Sequence, residues 1–200
     1  AVPGVAVNLS GNKTDSVTTG NDGGYSFSVS VEGTYTIRLD KSAEAPASQG
    51  VSTLDITLIR RDILGMAALG SPYKLLAGDA NGSGSLTTLD IALIRRVVLG
   101  LNESFPAGHW TFMRSDFVFA DPQAPWTYEG TRVVSGLTND VSGLDFIGIK
   151  VGEVNGSWPW LTAIRTEIDL FRSRRCTQCL ISLPPLLRLL KSRPVRKLQK

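Results

Sequence analysis

Two segments of fifteen residues have closely similar sequences, and this repeat constrains the fold more than any other feature. Residues 51–65 (VSTLDITLIRRDILG) and 86–100 (LTTLDIALIRRVVLG) are identical at ten of fifteen positions, with an offset of 35. Four residues of the first copy follow the spacing of one helical stripe, namely Leu54, Leu58, Ile59 and Ile63. Both copies end in a glycine, which readily takes the positive φ that ends a helix. The pattern predicts two short amphipathic helices in duplicated structural units.

A loop rich in oxygen-bearing side chains precedes the second helix. Residues 79–90 read DANGSGSLTTLD. Ca²⁺ takes about six to eight oxygen ligands, and a short loop directs alternate side chains at one ion if it turns sharply at its sixth position, where this loop has Gly84. The predicted ligands, at positions 1, 3, 5, 7, 9 and 12 of the loop, are Asp79, Asn81, Ser83, Ser85 through its carbonyl, Thr87 and Asp90. A turn without an ion is the alternative, but it leaves the last carboxylate and the duplicated helix unexplained.

The first helix lacks the front half of such a loop. Aligned on the repeat, the residues before it keep Ser52 and Asp55 at positions 9 and 12, but they have Pro46 at position 3 and Gln49 at position 6. A proline offers no side-chain oxygen, so these residues alone do not make a complete calcium loop. One interpretation is a degenerate half-site that serves only helix packing.

The front half of such a loop, with no helix after it, occurs about 100 residues later in the chain. Residues 146–157 read FIGIKVGEVNGS, with oxygen-bearing side chains spaced as positions 1, 3 and 5. We therefore predict that this segment meets the start of the first helix in space and completes a split second site. Its predicted ligands are Ser52, Asp55, Glu153, Asn155 and Ser157.

The complete loop with Asp at its last position, the helix LTTLDIALIRRVVLG and the paired repeat together resemble type I dockerins, in which two loop-and-helix halves bind calcium. The resemblance covers residues 50–100 and is stronger for the second half. It implies Ca²⁺ as the cofactor and a cohesin-like protein as the partner. The arginines that it places at the partner interface are Arg60, Arg61, Arg95 and Arg96. Dockerins usually carry small hydroxyl residues where this chain has Leu54 and Leu89, so we predict that these leucines belong to the core.

The N-terminal residues have the pattern of β-structure. Between residues 4 and 38, apolar and polar residues alternate in short runs that are separated by glycine-rich turns, which predicts antiparallel strands. About four strands are too few for a closed sandwich, so we expect one more strand, either lost at the start or supplied by a neighbour. The run NDGGYSFSVSVEGTYTIRL resembles the carboxypeptidase regulatory-like, transthyretin-like β-sandwich modules of secreted bacterial proteins.

Charge divides the chain into an acidic body and a basic tail. Residues 1–160 contain 11 Lys and Arg against 16 Asp and Glu, whereas residues 161–200 contain 10 against 2. We predict an α+β chain with a partial antiparallel β-sandwich at 1–40, a dockerin-like pair of loop-helix repeats with additional strands at 44–158, and a disordered or non-native tail at 161–200. A membrane-surface or nucleic-acid-binding tail is the alternative, although no nucleic-acid partner is expected.

Aromatic residues are concentrated in the segment before the loop front. Their alternation is more typical of a buried strand face than of a flat sugar-stacking face. They are Trp110, Phe112, Phe117, Phe119, Trp126 and Tyr128. His109 is the only histidine, and no nucleophile motif surrounds it, so we expect no catalysis.

The combined motifs of residues 1–158 are similar to dockerin-like regions of large secreted bacterial surface proteins. The resemblance implies a non-catalytic module of an exported protein that attaches to a cohesin-like partner, or acts as a spacer in an adhesive or polysaccharide-degrading surface protein. Contact with polysaccharide would come through the larger protein. Carbohydrate binding by the aromatic face is the alternative function. No apolar run reaches the ~18 residues of a membrane span, and we expect an export signal upstream of Ala1 and a secreted or cell-surface location.

Overall fold

A computed structural model describes residues 2–41, 46–157 and 162–170. These residues form nine strands and three helices, which confirms the predicted α+β class. In chain order they are β1 (Ala6–Gly11), β2 (Asp15–Thr18), β3 (Gly24–Val29), β4 (Thr34–Asp40), α1 (Thr53–Ile63), α2 (Pro72–Gly78), α3 (Thr88–Val98), β5 (Trp110–Arg114), β6 (Thr131–Ser135), β7 (Val141–Ser142), β8 (Phe146–Lys150) and β9 (Thr162–Leu170).

The strands form two sheets that share one hydrophobic core. The first sheet has the order β2-β1-β4-β6, and the second has the order β3-β9-β8-β5, with β7 paired to β9. All pairings are antiparallel except that of β3 with β9, which is parallel. Alternate residues of each strand point into the core, as in Tyr35 and Ile37 of β4, Phe27 of β3, Phe146 of β8 and Ile164 of β9.

The N-terminal strands are completed by strands from the other end of the described chain. Thr36 of β4 pairs with Val133 of β6, and Phe27 of β3 pairs with Ile168 of β9. Both sheets therefore continue across the predicted boundary at residue 40. Strands from residues 110–170 take the place of the one further strand that we expected to be lost at the start or supplied by a neighbour. Residues 162–170, predicted as part of a disordered or non-native tail, form β9. The rest of that predicted tail, residues 171–200, lies outside the described residues.

Helices α1 and α3 arise from the two repeats and have the same ends. Ser52 and Thr87 are the N-cap residues, and each forms a capping box with the aspartate three residues later, Asp55 or Asp90. A capping residue of this kind stabilises a helix by about 1 kcal/mol. The short helix α2 was not predicted. It begins at Pro72, a residue well suited to the first helical turn because its φ is fixed there.

Strand β8 connects the sheets with the helices. Phe146, at its start, lies in the core between the sheets, whereas Ile149, near its end, lies in a second core with Ile59 of α1 and Ile94 of α3. Val151 and Val154 continue from β8 into this second core. The chain after β8 is thus held against the start of α1. In the described part of the chain, no helix is both long and apolar enough to cross a membrane.

We predict that Phe146→Ala lowers the free energy of unfolding by about 3 kcal/mol or more, because the phenyl ring is fully buried in the shared core. Val133→Ala is the matched control, since Val133 lies in the other sheet with its side chain exposed, and we expect a change within about 0.5 kcal/mol. Urea unfolding followed by fluorescence measures both values. Equal effects of the two substitutions would contradict a core that spans both sheets.

Candidate metal centre

The loop of residues 79–90 folds back on the carboxylate of its first residue. Asp79 Oδ1 accepts a hydrogen bond from the backbone N–H of Ser83 (3.0 Å), and Asp79 Oδ2 accepts one from Gly84 (2.8 Å). Asn81 Oδ1 also accepts from the Ser83 N–H, at 2.9 Å. The turn requires glycine at position 6, because the φ of Gly84 is 74°.

The last residue of the loop joins its front to helix α3. Asp90 Oδ2 accepts hydrogen bonds from the backbone N–H of Thr87 (2.8 Å) and from its hydroxyl (3.0 Å). Asp90 Oδ1 accepts one from the N–H of Asn81, at 3.2 Å. Both carboxylates lie inside the protein, with Asp90 0% and Asp79 7% exposed. The loop therefore holds two buried acidic groups around one turn of backbone.

The five residues of the predicted split site lie together in the structure, although the segments that carry them are about 100 residues apart. Asp55 Oδ1 accepts hydrogen bonds from the N–H groups of Val154 (2.8 Å) and Asn155 (2.9 Å). The Asn155 side-chain amide donates to Asp55 Oδ2 (2.8 Å) and to Ser52 Oγ (3.3 Å). The Ser157 N–H donates to Glu153 Oε1 at 2.8 Å and to Asn155 Oδ1 at 2.6 Å.

The two groups of residues share one hydrogen-bond pattern. In each, the carboxylate at position 12 accepts from the N-cap residue and from the N–H of the asparagine at position 3. In each, the N–H of the serine at position 5 is donated both to the acid at position 1 and to that asparagine. The loop residues Asp79, Asn81 and Ser83 thus correspond one to one to Glu153, Asn155 and Ser157. The chain after β8 therefore supplies the loop front that the first repeat lacks.

Each group buries two carboxylates, Asp79 with Asp90 and Asp55 with Glu153. Buried carboxylates need charge partners or hydrogen bonds, and no Lys or Arg among the described residues forms an ion pair with Asp55, Asp79 or Asp90. Helix capping accounts for the acids at position 12, but it does not account for burying a second acid beside each of them.

The chemistry of both groups suits a hard cation. The side-chain donors are carboxylate, amide and hydroxyl oxygens, which are the ligands that Ca²⁺ prefers. Across the described ranges there is no group of three or more His, Cys, Asp or Glu side chains that could hold a metal. Both candidate sites instead combine two carboxylates with neutral oxygens, which is the composition that the sequence predicted for them.

Two further residues contact the first loop, and neither was predicted to do so. A Cβ placed on Gly84 would lie 3.6 Å from the Cβ of Trp126, and one on Gly82 would lie 3.6 Å from that of Ala107. The Ala107 N–H also donates to the carbonyl of Ala80, at 3.2 Å. No local pattern marks these residues, because they follow the loop at a distance and lie in irregular segments.

The residues predicted to bind a partner are exposed on the helices. Arg60, Arg61, Arg95 and Arg96 lie in the last turns of α1 and α3, where positive charge suits the negative end of the helix dipole. The prediction that Leu54 and Leu89 belong to the core is wrong, since their side chains are 54% and 55% exposed. The buried face of α1 instead carries Ile56 and Ile59, because Asp55 turns inward.

The aromatic residues do not form one flat face. Phe112 is buried between the sheets, while Phe117 and Phe119 pack beside the helices, where the Phe119 ring meets Tyr73 edge to face at 5.7 Å. Trp110, Trp126 and Tyr128 line an open cavity. The prediction that the aromatic residues form one buried strand face therefore holds for Phe112. The other aromatic residues lie either beside the helical core or in the wall of this cavity.

Comparison of the chain with protein-family models, with curated proteins and with solved structures finds no match. The function is therefore argued from the geometry of the two groups and from the surfaces around them.

We predict that Asp55→Ala lowers the free energy of unfolding by about 2–4 kcal/mol even in the presence of a chelator. The substitution leaves the N–H groups of Ser52, Val154 and Asn155 without their acceptor. Asp62→Ala, in the same helix, is the control. The Asp62 carboxylate accepts one hydrogen bond, from the backbone N–H of Leu69, so we expect this substitution to cost about 1 kcal/mol. Urea unfolding in EGTA measures the difference, and similar losses for the two variants would refute the joining role of Asp55.

Proposed function

We propose that this chain is a non-catalytic, calcium-stabilised module of an exported protein. The observation that supports this most is the hydrogen-bond pattern shared by the two groups, each of which buries two carboxylates among oxygen donors. A single local loop with this pattern has a simple explanation as a capped helix start. The same pattern assembled from segments about 100 residues apart has no such local explanation.

In this proposal, Asp79, Asn81, Ser83 and Thr87 hold one Ca²⁺ with Asp90 and the carbonyl of Ser85. A second Ca²⁺ is held by Glu153, Asn155 and Ser157 from the chain after β8, together with Ser52 and Asp55 at the start of α1. The ion supplies the positive charge that offsets each buried carboxylate pair. With two carboxylates a site, the affinity belongs to the weaker, extracellular range of such loops.

The proposed role is attachment to a cohesin-like protein, or spacing in an adhesive or polysaccharide-degrading surface protein. The repeat places equivalent exposed residues on α1 and α3, among them the leucine pair Leu54 and Leu89. Exposed leucines in the first turns and paired arginines in the last turns of the same helices fit a protein partner that offers apolar contacts and acidic groups. In the same proposal, the helices and their loops form a dockerin-like unit, and the two sheets form a β-sandwich of the carboxypeptidase regulatory-like kind, outside the cell.

We predict that the chain binds two Ca²⁺ ions and that its melting temperature is higher in Ca²⁺ than in EGTA. A ligand that binds only the folded state at 100 times its dissociation constant stabilises that state by about 2.7 kcal/mol for each site. Isothermal titration calorimetry gives the number of ions, and differential scanning calorimetry gives the shift. A melting temperature that is indifferent to EGTA would refute the proposal, and one bound ion would refute the split site alone.

Charge-removing substitutions assign the ions to the two sites. Asp79→Asn and Glu153→Gln each keep the shape of the side chain and remove one carboxylate, so we expect each variant to bind one ion instead of two. Asp121→Asn is the control, because Asp121 is exposed and distant in sequence from both groups, and this variant should still bind two. Retention of both ions by Asp79→Asn and by Glu153→Gln would contradict the assigned ligands.

A further inference from the structure

An open cavity of about 710 Å³ lies where the end of β4 meets the segments around β5 and before β6. Its volume falls within the range of about 300–1,000 Å³ that is typical of small-molecule sites. Its lining includes Arg38, Asp40, His109, Trp110, Trp126 and Tyr128. None of them belongs to the two candidate calcium sites.

The aromatic rings of the cavity differ in what they can offer to a ligand. Trp110 is already engaged by the protein, because it stacks on Phe112 at 6.3 Å with an angle of 12° between the rings. The ammonium groups of Lys41 and Lys150 also lie over it, at 6.0 and 5.7 Å. Trp126 and Tyr128 are partly exposed in the same cavity. Trp126 also packs against the second core, but both rings keep part of their surface exposed, and a ligand in the cavity would stack on that surface.

Beside the apolar residues Leu39, Ala107 and Phe112, the wall carries several polar groups. The exposed side chains of Arg38 and Asp40 bring a hydrogen-bond donor and an acceptor of opposite charge to the same cavity. His109 Nδ1 and Trp110 Nε1 are buried in the wall and have no hydrogen-bonding partner within the part of the chain that the structure describes. Such a lining does not suit an apolar ligand, because polar groups left without partners cost free energy.

A saccharide ring has the chemistry that this wall requires. One face of a pyranose presents C–H groups that pack on an aromatic ring, and its hydroxyl groups donate to carboxylates and accept from guanidinium groups. Arg38 and Asp40 carry opposite charges, and the third charged residue of the lining, Lys41, is buried with its ammonium group donating to the carbonyl of Pro3. The exposed charges of the lining therefore balance, which favours a neutral sugar over an anionic one. We propose that this cavity is a binding site for a neutral saccharide that stacks on Trp126 and Tyr128 and forms hydrogen bonds with Arg38 and Asp40.

The cavity lies close to the loop of residues 79–90 through Trp126, because a Cβ placed on Gly84 would be 3.6 Å from the Cβ of Trp126. An ion that orders this loop also fixes one stacking ring, so Ca²⁺ strengthens saccharide binding. This link to Ca²⁺ rests on the proposed function, whereas the saccharide site itself does not.

The test is isothermal titration calorimetry of the full chain, in Ca²⁺, with cellohexaose, xylohexaose, mannohexaose and trigalacturonate as probes. We expect at least one neutral hexasaccharide to bind. Trp126→Leu and Arg38→Ala should each weaken this binding about tenfold, because each removes one contact with the sugar. Phe119→Leu is the control, since Phe119 packs beside the helices outside the cavity. The saccharide affinity of this variant should stay within about twofold of that of the unchanged chain.

Arg38 is exposed and lies outside the hydrophobic cores, so Arg38→Ala tests the site even if Trp126→Leu disturbs the loop. Melting temperatures of all variants show which of them remain folded. The proposal is overturned if no neutral probe binds at millimolar concentration, if only trigalacturonate binds, or if Arg38→Ala binds the sugar as tightly as the unchanged chain. Saccharide binding that persists unchanged in EGTA removes the link to Ca²⁺ and leaves the site in place.

Discussion

The carboxylate of Asp55 connects the start of α1 with the segment after β8, about 100 residues later in the sequence. Its two oxygens accept from the N-cap of α1, from the backbone after β8 and from the side chain of Asn155. Because β8 lies between the core of the sheets and the core of the helices, this one group fixes the helices relative to both sheets. A buried carboxylate with so many donors is costly to disturb, since each N–H would lose its acceptor inside the protein.

The second group shows how a duplicated unit can lose part of its sequence and keep its geometry. The residues before α1 contain Pro46 and Gln49 where a loop front needs an oxygen donor and a sharp turn. Glu153, Asn155 and Ser157 supply the same hydrogen bonds from another segment. The first group, by contrast, is continuous in the chain. The structure therefore contains one local and one non-local version of the same arrangement, at the starts of two helices that pack against each other.

The sequence predicted those features that depend on short-range spacing. The repeat located α1 and α3, whereas the N-cap role of Ser52 and Thr87 was not predicted, since both residues were assigned only as ligands at position 9. The spacing of 153–157 predicted which segment would meet α1. The pairing of β3 with β9 was beyond reach, because parallel partners are distant in sequence and short strands carry little register information. Helical spacing also left open which side of α1 faces inward, so the exposure of Leu54 was missed.

The long separation of the two halves of the second group sets an order of events during synthesis. The first group contains contacts within twelve residues and is complete once residue 90 has emerged, whereas Asp55 must wait for a segment 99 residues later. At roughly 5–20 residues per second, the ribosome leaves α1 without that partner for several seconds. The N-terminal strands wait longer still, since β3 needs β9. A chain interrupted before residue 153 therefore exposes unpaired strand edges to its neighbours, and of the two groups only the loop of residues 79–90 has its hydrogen-bond partners in place.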